Sequence, residues 1–312
     1  MKRAVIFSAL GANSISDDLQ KKLSETFDAT YIKNEKPLPP NKFIELVNSF
    51  HFIALTRRAL VCLDDNILSK LPLLEGVSAY STGKEWIDEK AFTKRGIRLE
   101  TLPIYCTNAV AEVALGLILM QQHKLHLRYL KTTKKIPNFV SLRGSELAQK
   151  NVGIIGYGKI GSCIALKMKY LCKNIFVNDT DFSKINQLQD NVISASKIEI
   201  IEHCDIIIVC ASQQFEEQYI WENTDYQSLK KNAVILNIAR KSLLNHQLLL
   251  NLVKKKQIEA YIFDDLMQET DVPDEVEFGK IIPTGHTAWY TDNAIKNGTF
   301  SWINNLINFS NK

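Results

Sequence analysis

Along residues 1–101, short apolar runs alternate with stretches whose apolar positions recur at helical spacing. The runs are Ala4–Phe7, Thr30–Ile32, Phe52–Thr56, Val77–Tyr80 and Ile97–Thr101. Between them, Ser16–Thr26, Asn41–Asn48 and Asp65–Lys70 carry apolar residues on one side and polar residues on the other, as surface helices do. Strands alternating with helices predict a parallel sheet covered by helices. The Lys36–Pro40 stretch, KPLPP, reads as a surface loop inside this unit.

Asn108–Leu130 carries the longest helical pattern. Its first half is apolar nearly all round, which predicts burial, and Thr107 or Asn108 is placed to cap its start. A polar, basic connection follows as far as Gly144. The strand–helix alternation then resumes with runs at Val152–Ile155, Ile175–Val177, Asp205–Cys210, Ala233–Asn237, Ala260–Phe263 and Ile281-Ile282, and a helix over Gln247–Lys255. The continuous β-branched run in Asp205–Cys210 fits a strand buried on both faces. Such a series predicts a doubly wound sheet, with ligands at the carboxyl ends of its strands.

The turn after Val152–Ile155 contains Gly156, Gly158 and Gly161 in G-x-G-x-x-G spacing, between a strand and a helix. In that context Gly156 lets the chain turn sharply and Gly158 lets a pyrophosphate approach the backbone. Gly161 lets the helix pack against the strand, and the helix start offers N–H groups and a positive dipole end. Asp179 lies 18 residues after Gly161, at the end of the next run. A carboxylate there accepts ribose hydroxyls and repels a 2′-phosphate, so NAD (as NADH) is expected in preference to NADP.

Composition narrows the class. The chain has 312 residues, 46% hydrophobic and 23% charged, which suits a soluble protein of two domains. Apolar runs fall short of the roughly 18 residues a membrane span needs, and the N-terminal MKRAVIFSALGANS reads as a first strand and loop, not a signal peptide. The net charge of +4 is dispersed. Lys131, Lys134, Lys135 and Lys254–Lys256 read as solvated helix faces, so neither nucleic acid nor membrane is expected as a partner. The six cysteines form no C-x-x-C pair and read as reduced thiols of a cytoplasmic protein, with no metal site.

Chemistry-bearing residues follow three successive runs: Ala239 and Arg240 after Ala233–Asn237, Asp264 and then Glu269 after Ala260–Phe263, and His286 after Ile281-Ile282. Reduction of a 2-oxo acid needs a hydride donor, a proton donor and a cation for the carboxylate. A reduced nicotinamide, a protonated His286 oriented by Glu269, and Arg240 supply these in turn. His51, His123, His126, His203 and His246 read as structural.

The blocks NAVAEVALGLIL (108–119), NVGIIGYGKIG (151–161), LNIARKSLLN (236–245), IEAYIFDDLMQET (258–270) and PTGHTAWYT (283–291) resemble the D-isomer-specific 2-hydroxyacid dehydrogenase family over nearly the whole chain. The resemblance implies an α/β protein of two Rossmann-like, flavodoxin-like doubly wound parallel-sheet domains with an interdomain cleft. A discontinuous substrate domain would span 1–104 plus 288–312, and an NAD-binding Rossmann domain 105–287. It implies a catalytic Arg240, Glu269 and His286. It implies cofactor contacts from Gly156, Gly158, Lys159, Ile160, Gly161, Asp179, Ala239 and Asp264, the last facing the nicotinamide carboxamide. The Ser81-Thr82-Gly83 turn, with Thr82 and Gly83, and Arg240 would hold the substrate carboxylate. The implied activity is NAD-dependent interconversion of a small 2-oxo acid and its D-2-hydroxy acid, by a homodimer. Lys241, Leu244-Asn245, Thr270 and Glu85-Trp86 depart from the family pattern, and Lys241 and Trp86 bear on substrate preference. Trp289 fits members acting on glycerate or hydroxypyruvate, or equally a core or interface aromatic. Arg57 and Arg58 read as surface residues with a possible place beside the pocket. The rival readings are a non-catalytic NAD(H)-responsive binding protein, and formate or phosphite oxidation on the same fold.

Overall fold

The computed structural model of the protein describes residues 1–185, 188, 191–213, 219–266 and 279–311. The chain divides into two compact units. One is built from Met1–Tyr105 and Thr291–Lys312, the other from Cys106–Ser212 and Gln218–Tyr290.

The first unit holds five parallel strands: β1 (Arg3–Ser8), β2 (Asp28–Lys33), β3 (Phe52–Leu55), β4 (Gly76–Ala79) and β5 (Arg98–Glu100), in the order β2-β1-β3-β4-β5. This is the flavodoxin-like order. The helices between them are α1 (Asp17–Thr26), α2 (Pro40–Val47), α3 (Asp65–Leu68) and α4 (Glu89–Arg95). Local chemistry sets their ends. Pro40 sits in the first turn of α2, where its missing N–H costs nothing, so the KPLPP stretch closes on a helix start. Asp64 and Asp88 accept the N–H of Ile67 and Ala91 at 3.0 and 3.1 Å, capping α3 and α4. Gly96, at φ +67°, ends α4 in the left-handed conformation.

One face of this sheet buries Phe7, Phe43, Ile53, Leu55, Val77 and Phe92. The other buries Ala4, Ile6, Leu23 and Phe52 against the last helix of the chain, Asp292–Asn308, through Trp302, Ile303 and Leu306. A reciprocal pair locks that helix to β4. Trp302 Nε1 donates to Ser78 O and Ser78 Oγ donates to Trp302 O, both at 2.8 Å. The C-terminal stretch therefore completes the core of the N-terminal unit.

The second unit holds seven parallel strands: β6 (Asn151–Ile155), β7 (Asn174–Asn178), β8 (Val192–Ser194), β9 (Ile206–Val209), β10 (Val234–Asn237), β11 (Ala260–Phe263) and β12 (Ile281–Pro283), in the order β12-β11-β10-β9-β6-β7-β8. Every residue of β9, β10 and β11 is buried, as expected where both faces are covered. The helices are α5 (Thr107–Gln122), α6 (Leu125–Thr132), α7 (Lys159–Met168), α8 (Lys197–His203), α9 (Asn223–Gln227) and α10 (His246–Lys254). β8 is three residues long and carries no apolar run of its own, so periodicity alone does not reveal it.

The long pattern expected over Asn108–Leu130 is two helices. The break falls at Lys124, which is left-handed at φ +55°. Its cause is tertiary: the carbonyl of Gln122 accepts the N–H of Ser145 at 2.9 Å. Lys124 Nζ reaches Glu259 at 2.8 Å. Buried Gln121, His126 and the carbonyl of Gly279 meet beside the break, with His126 Nε2 at 3.2 Å from Gly279 O.

Candidate active site

β6 and β9 pair as neighbours, and β6 feeds β7 on one side of the sheet while β10 to β12 extend the other. The chains therefore part at the carboxyl ends of β6 and β9, the switch point where doubly wound sheets bind ligands. Gly156 stands there at φ +95°, a conformation that L side chains rarely adopt. A Cβ on it would meet the backbone of Ala211 and would lie 2.7 Å from Cys210 C. Gly161 lies against the carbonyl of Gly156, so any side chain there would push α7 off the turn. Gly158 is the extended residue before α7, and the space where its Cβ would stand is open. Lys159, Ile160 and Gly161 open the helix, where backbone N–H groups have no intrahelical acceptor. An open approach, free amides and the positive end of a helix fit a pyrophosphate.

Asp179 follows β7 with its side chain 8% exposed. Its Oδ2 accepts the N–H of Tyr157, inside the glycine turn, at 2.8 Å. Its Oδ1 accepts the N–H of Asp181 at 2.9 Å and Lys184 Nζ at 3.1 Å. The carboxylate thus braces the turn, and its remaining lone pairs are those a ribose hydroxyl would use. Lys184 carries no motif in the sequence. It reaches Asp179 because a short helical turn, Phe182–Ile185, brings it back.

The ends of β10, β11 and β12 hold the other candidates. Asn237, the last residue of β10, is 1% exposed. It shapes the following loop: its Nδ2 donates to Arg240 O at 2.8 Å and its Oδ1 accepts the N–H of Ala239 at 3.1 Å. That leaves Ala239 and Arg240 half-buried just past the strand. Asn237 was hidden in the sequence because it reads as part of an apolar strand. Asp265 links this loop to the next. Its Oδ2 accepts the N–H of Lys241 at 3.1 Å and its carbonyl accepts that of Gly285 at 3.1 Å. Lys241 Nζ points along the same route, 3.3 Å from Leu266 O.

Asp264 is the hub. It is 4% exposed, and its carboxylate accepts Thr284 Oγ1 at 2.6 Å, Thr287 N–H at 2.9 Å and Ala288 N–H at 3.2 Å. The turn it gathers holds two successive left-handed residues, Gly285 at φ +73° and His286 at φ +58°. His286 Nδ1 lies 3.3 Å from Asp264 O and 3.6 Å from Asp264 Oδ2. Both neighbours are acceptors, so Nδ1 carries a hydrogen and Nε2 is the nitrogen left for other chemistry. Burial pushes the Asp264 carboxyl up, but the bonds from His286 and Thr284 outweigh it and hold the pKa below its ordinary value. Trp289 Nε1 donates to His286 O at 3.1 Å and so braces the same turn. Glu269, the expected partner of His286, lies outside the described residues.

In the first unit, the loop after β4 places Ser81, Thr82 and Gly83 at a strand end. Ser81 Oγ donates to Gly83 O at 2.9 Å, and Thr82 Oγ1 donates to Leu102 O at 2.8 Å. The N–H of Gly83 donates to none of the described residues. Trp86 does not stand open beside this loop. It is 2% exposed in the core, with its indole N–H 3.3 Å from Ser81 Oγ. A cavity of about 850 Å³ opens in the second unit at the amino ends of the strands, lined by Lys150, Asp205, Glu259 and Lys280 among others. None of the candidate residues borders it. Among the described residues no group of three or more His, Cys, Asp or Glu is placed to hold a metal ion, and no helix is long and apolar enough to cross a membrane.

A glycine turn at the switch point of a seven-stranded parallel sheet defines a dinucleotide-binding protein of the doubly wound class. The family model for the D-isomer specific 2-hydroxyacid dehydrogenase NAD binding domain matches residues 113–294, and the chain belongs to that family as an NAD-dependent oxidoreductase. Among curated relatives, it is similar to glyoxylate/hydroxypyruvate reductase B of Enterobacter sp. (strain 638), 24% identical over 96% of this chain and 93% of that one. It is also similar to glyoxylate reductase of Thermofilum pendens, 26% identical over 82% and 78%. Among solved structures, the fold is similar to that of D-lactate dehydrogenase from Aquifex aeolicus complexed with NAD and lactic acid. The TM-score is 0.78, at 18% identity over 98% of this chain and 95% of that one.

Proposed function

We propose that this chain reduces a small 2-oxo acid to its D-2-hydroxy acid, and runs the reverse reaction, with His286 as the acid and base. The chemistry that bound NADH supplies is a hydride. Gly156, Gly158, Lys159, Ile160 and Gly161 would hold the pyrophosphate through backbone groups, Asp179 the adenosine ribose, and Ala239 and Asp264 the nicotinamide end. Arg240 would bind the substrate carboxylate and polarise the adjacent carbonyl, and in the first unit Thr82 and Gly83 would offer backbone N–H groups for substrate binding. The proton on His286 Nε2 would neutralise the charge that develops on the carbonyl oxygen. In the other direction the neutral imidazole takes that proton back. Glu269, by its place in the motif, would stabilise the protonated ring.

The observation that carries this reading is the setting of His286. Asp264 holds Nδ1 through its carbonyl at 3.3 Å, with Oδ2 at 3.6 Å, which orients the ring and leaves Nε2 for the substrate. The relatives named for glyoxylate and hydroxypyruvate reduction support short 2-oxo acids as substrates. Initial rates of NADH oxidation with glyoxylate, pyruvate, hydroxypyruvate and longer 2-oxo acids test it. A protein that binds NADH and turns over none of them would be a binding protein instead.

We assign the substrate role to the unit expected as 1–104 plus 288–312 and the cofactor role to 105–287. The six unbridged cysteines support a cytoplasmic setting. The apolar stretch at 108–119 supports a homodimer, which analytical ultracentrifugation would measure.

A further inference from the structure

The first unit carries a charged pair that the reaction itself does not use. After β3 the chain turns through Thr56–Ala59, with Ala59 N–H donating to Thr56 O at 2.8 Å and Arg58 N–H to Thr56 Oγ1 at 3.2 Å. β4 lies beside β3 in the sheet. Arg57 reaches from the first turn into the loop after β4, where its NH1 donates to Glu85 Oε1 at 3.0 Å. The two partners differ in setting. Glu85 is 8% exposed at its side chain, whereas Arg57 is 50% exposed. Leaving a carboxylate so buried unpaired is costly, and Arg57 is one of the groups that hold it.

Glu85 stands two residues past Gly83. The near end of this loop is fixed by the bonds of Ser81 and Thr82. Its far end is fixed where Leu63 N–H donates to Trp86 O at 2.8 Å and Asp88 N–H to Leu63 O at 3.0 Å. Between these anchors, Arg57 pulls on Glu85 past the carboxyl ends of β3 and β4 and so sets where the chain at Gly83–Lys84 runs.

We propose that Arg57 and Glu85 are positioning residues: their pair fixes the backbone at Gly83–Lys84, next to Thr82, where a substrate carboxylate would be held. The inference rests on the 2-oxo acid reading above and adds two residues that act through the loop without touching substrate. It separates cleanly from the alternative in which Arg57 itself binds the substrate. If Arg57 were a direct ligand, releasing it from Glu85 would strengthen carboxylate binding. If the pair positions the loop, releasing it weakens binding.

The test uses the full chain saturated with NADH, with oxalate as a carboxylate probe in calorimetry and steady-state kinetics alongside. Glu85→Gln and Arg57→Gln should each weaken oxalate about tenfold and raise KM by a similar factor. kcat should change much less, and the NADH Kd should not move, since it reports the other unit. Arg57→Lys, which keeps the charge, should recover most of the oxalate affinity. Tighter oxalate binding in Glu85→Gln overturns the proposal, and so does unchanged affinity in both Gln variants. A parallel fall in kcat and NADH affinity also overturns it, as that is general damage to the fold. Oxalate binding by a wild type that reduces no 2-oxo acid would instead sink the proposed reaction, leaving the variants' affinities to decide this point. No oxalate binding by the wild type would sink both.

Discussion

The glycine turn after β6 and the Ser81–Trp86 loop after β4 hold equivalent places, at the carboxyl ends of buried parallel strands in their own units. They are made differently. The glycine turn is shaped by missing side chains: Gly156 against Ala211 and Gly161 against the carbonyl of Gly156 leave no room for a Cβ. Asp179 is its main side-chain brace. The Ser81–Trp86 loop is shaped by side-chain bonds, through Trp86 under Ser81, Thr82 on Leu102 and Arg57, from another loop, on Glu85. A backbone-built site suits a pyrophosphate, which is the same for every enzyme that uses the cofactor. A loop held by side chains can be reset by single substitutions, which suits the substrate-side role proposed for it.

Four changes would break or sharpen this contrast. His286→Ala lies outside both loops and should be the most damaging to activity, lowering kcat roughly a thousandfold. NADH affinity by fluorescence titration should stay near wild type, and survival of activity would remove His286 from the acid role. Gly161→Ala should abolish measurable NADH binding and lower stability by about 1–3 kcal/mol in denaturant unfolding, as overpacking does. NADH binding retained by that variant would show the turn to be less backbone-defined than its geometry says.

A third change is acidification. The folded pKa of Asp264 is depressed, so the unfolded chain takes up the proton first as pH falls. Its stabilising contribution is complete above the ordinary carboxylate value of 3.8 and is lost as pH drops through the lower folded value. Asp264→Asn should flatten the part of the stability–pH curve below 3.8. It should also lower stability at neutral pH by about 1.5–3 kcal/mol, the worth of hydrogen bonds to a buried charge. An unchanged acid limb in urea melts at several pH values would contradict this.

The mildest is Trp86→Phe, which keeps the buried ring but removes the indole N–H from Ser81. It should cost about 1 kcal/mol or less. KM for the 2-oxo acid should rise a few-fold, without effect on NADH. A large change in kcat would place Trp86 nearer the chemistry than its burial implies.

The two loops also differ in how far they could be read from the chain. Gly156, Gly158, Gly161 and Asp179 stand at fixed spacings within one strand–turn–helix–strand unit, so local order reveals them. Arg240, Asp264 and His286 could be singled out because each follows a predicted strand, and strand ends in such sheets are where ligands gather. Asn237 and Lys184 were not, and Asp265 stood at a strand end with no legible role, since what each does depends on the neighbouring chain it meets. Trp86 drew attention as a substrate-side residue, yet it is core. A tryptophan in a loop carries no sequence signal for which way it faces.

By itself, then, the order of apolar runs determined two parallel α/β sheets and a dinucleotide turn, because strand and helix periodicity and glycine spacing are local properties. Only the tertiary structure decided the rest. It broke the Asn108–Leu130 pattern at Lys124, because the carbonyl of Gln122 is taken by Ser145 from another part of the chain. It returned the C-terminal helix to the first sheet, because Trp302 and β4 satisfy each other's polar groups across more than 200 residues. It also turned His286 toward Asp264, because one buried carboxylate collects the hydrogen-bond donors of a left-handed turn that no spacing rule announces.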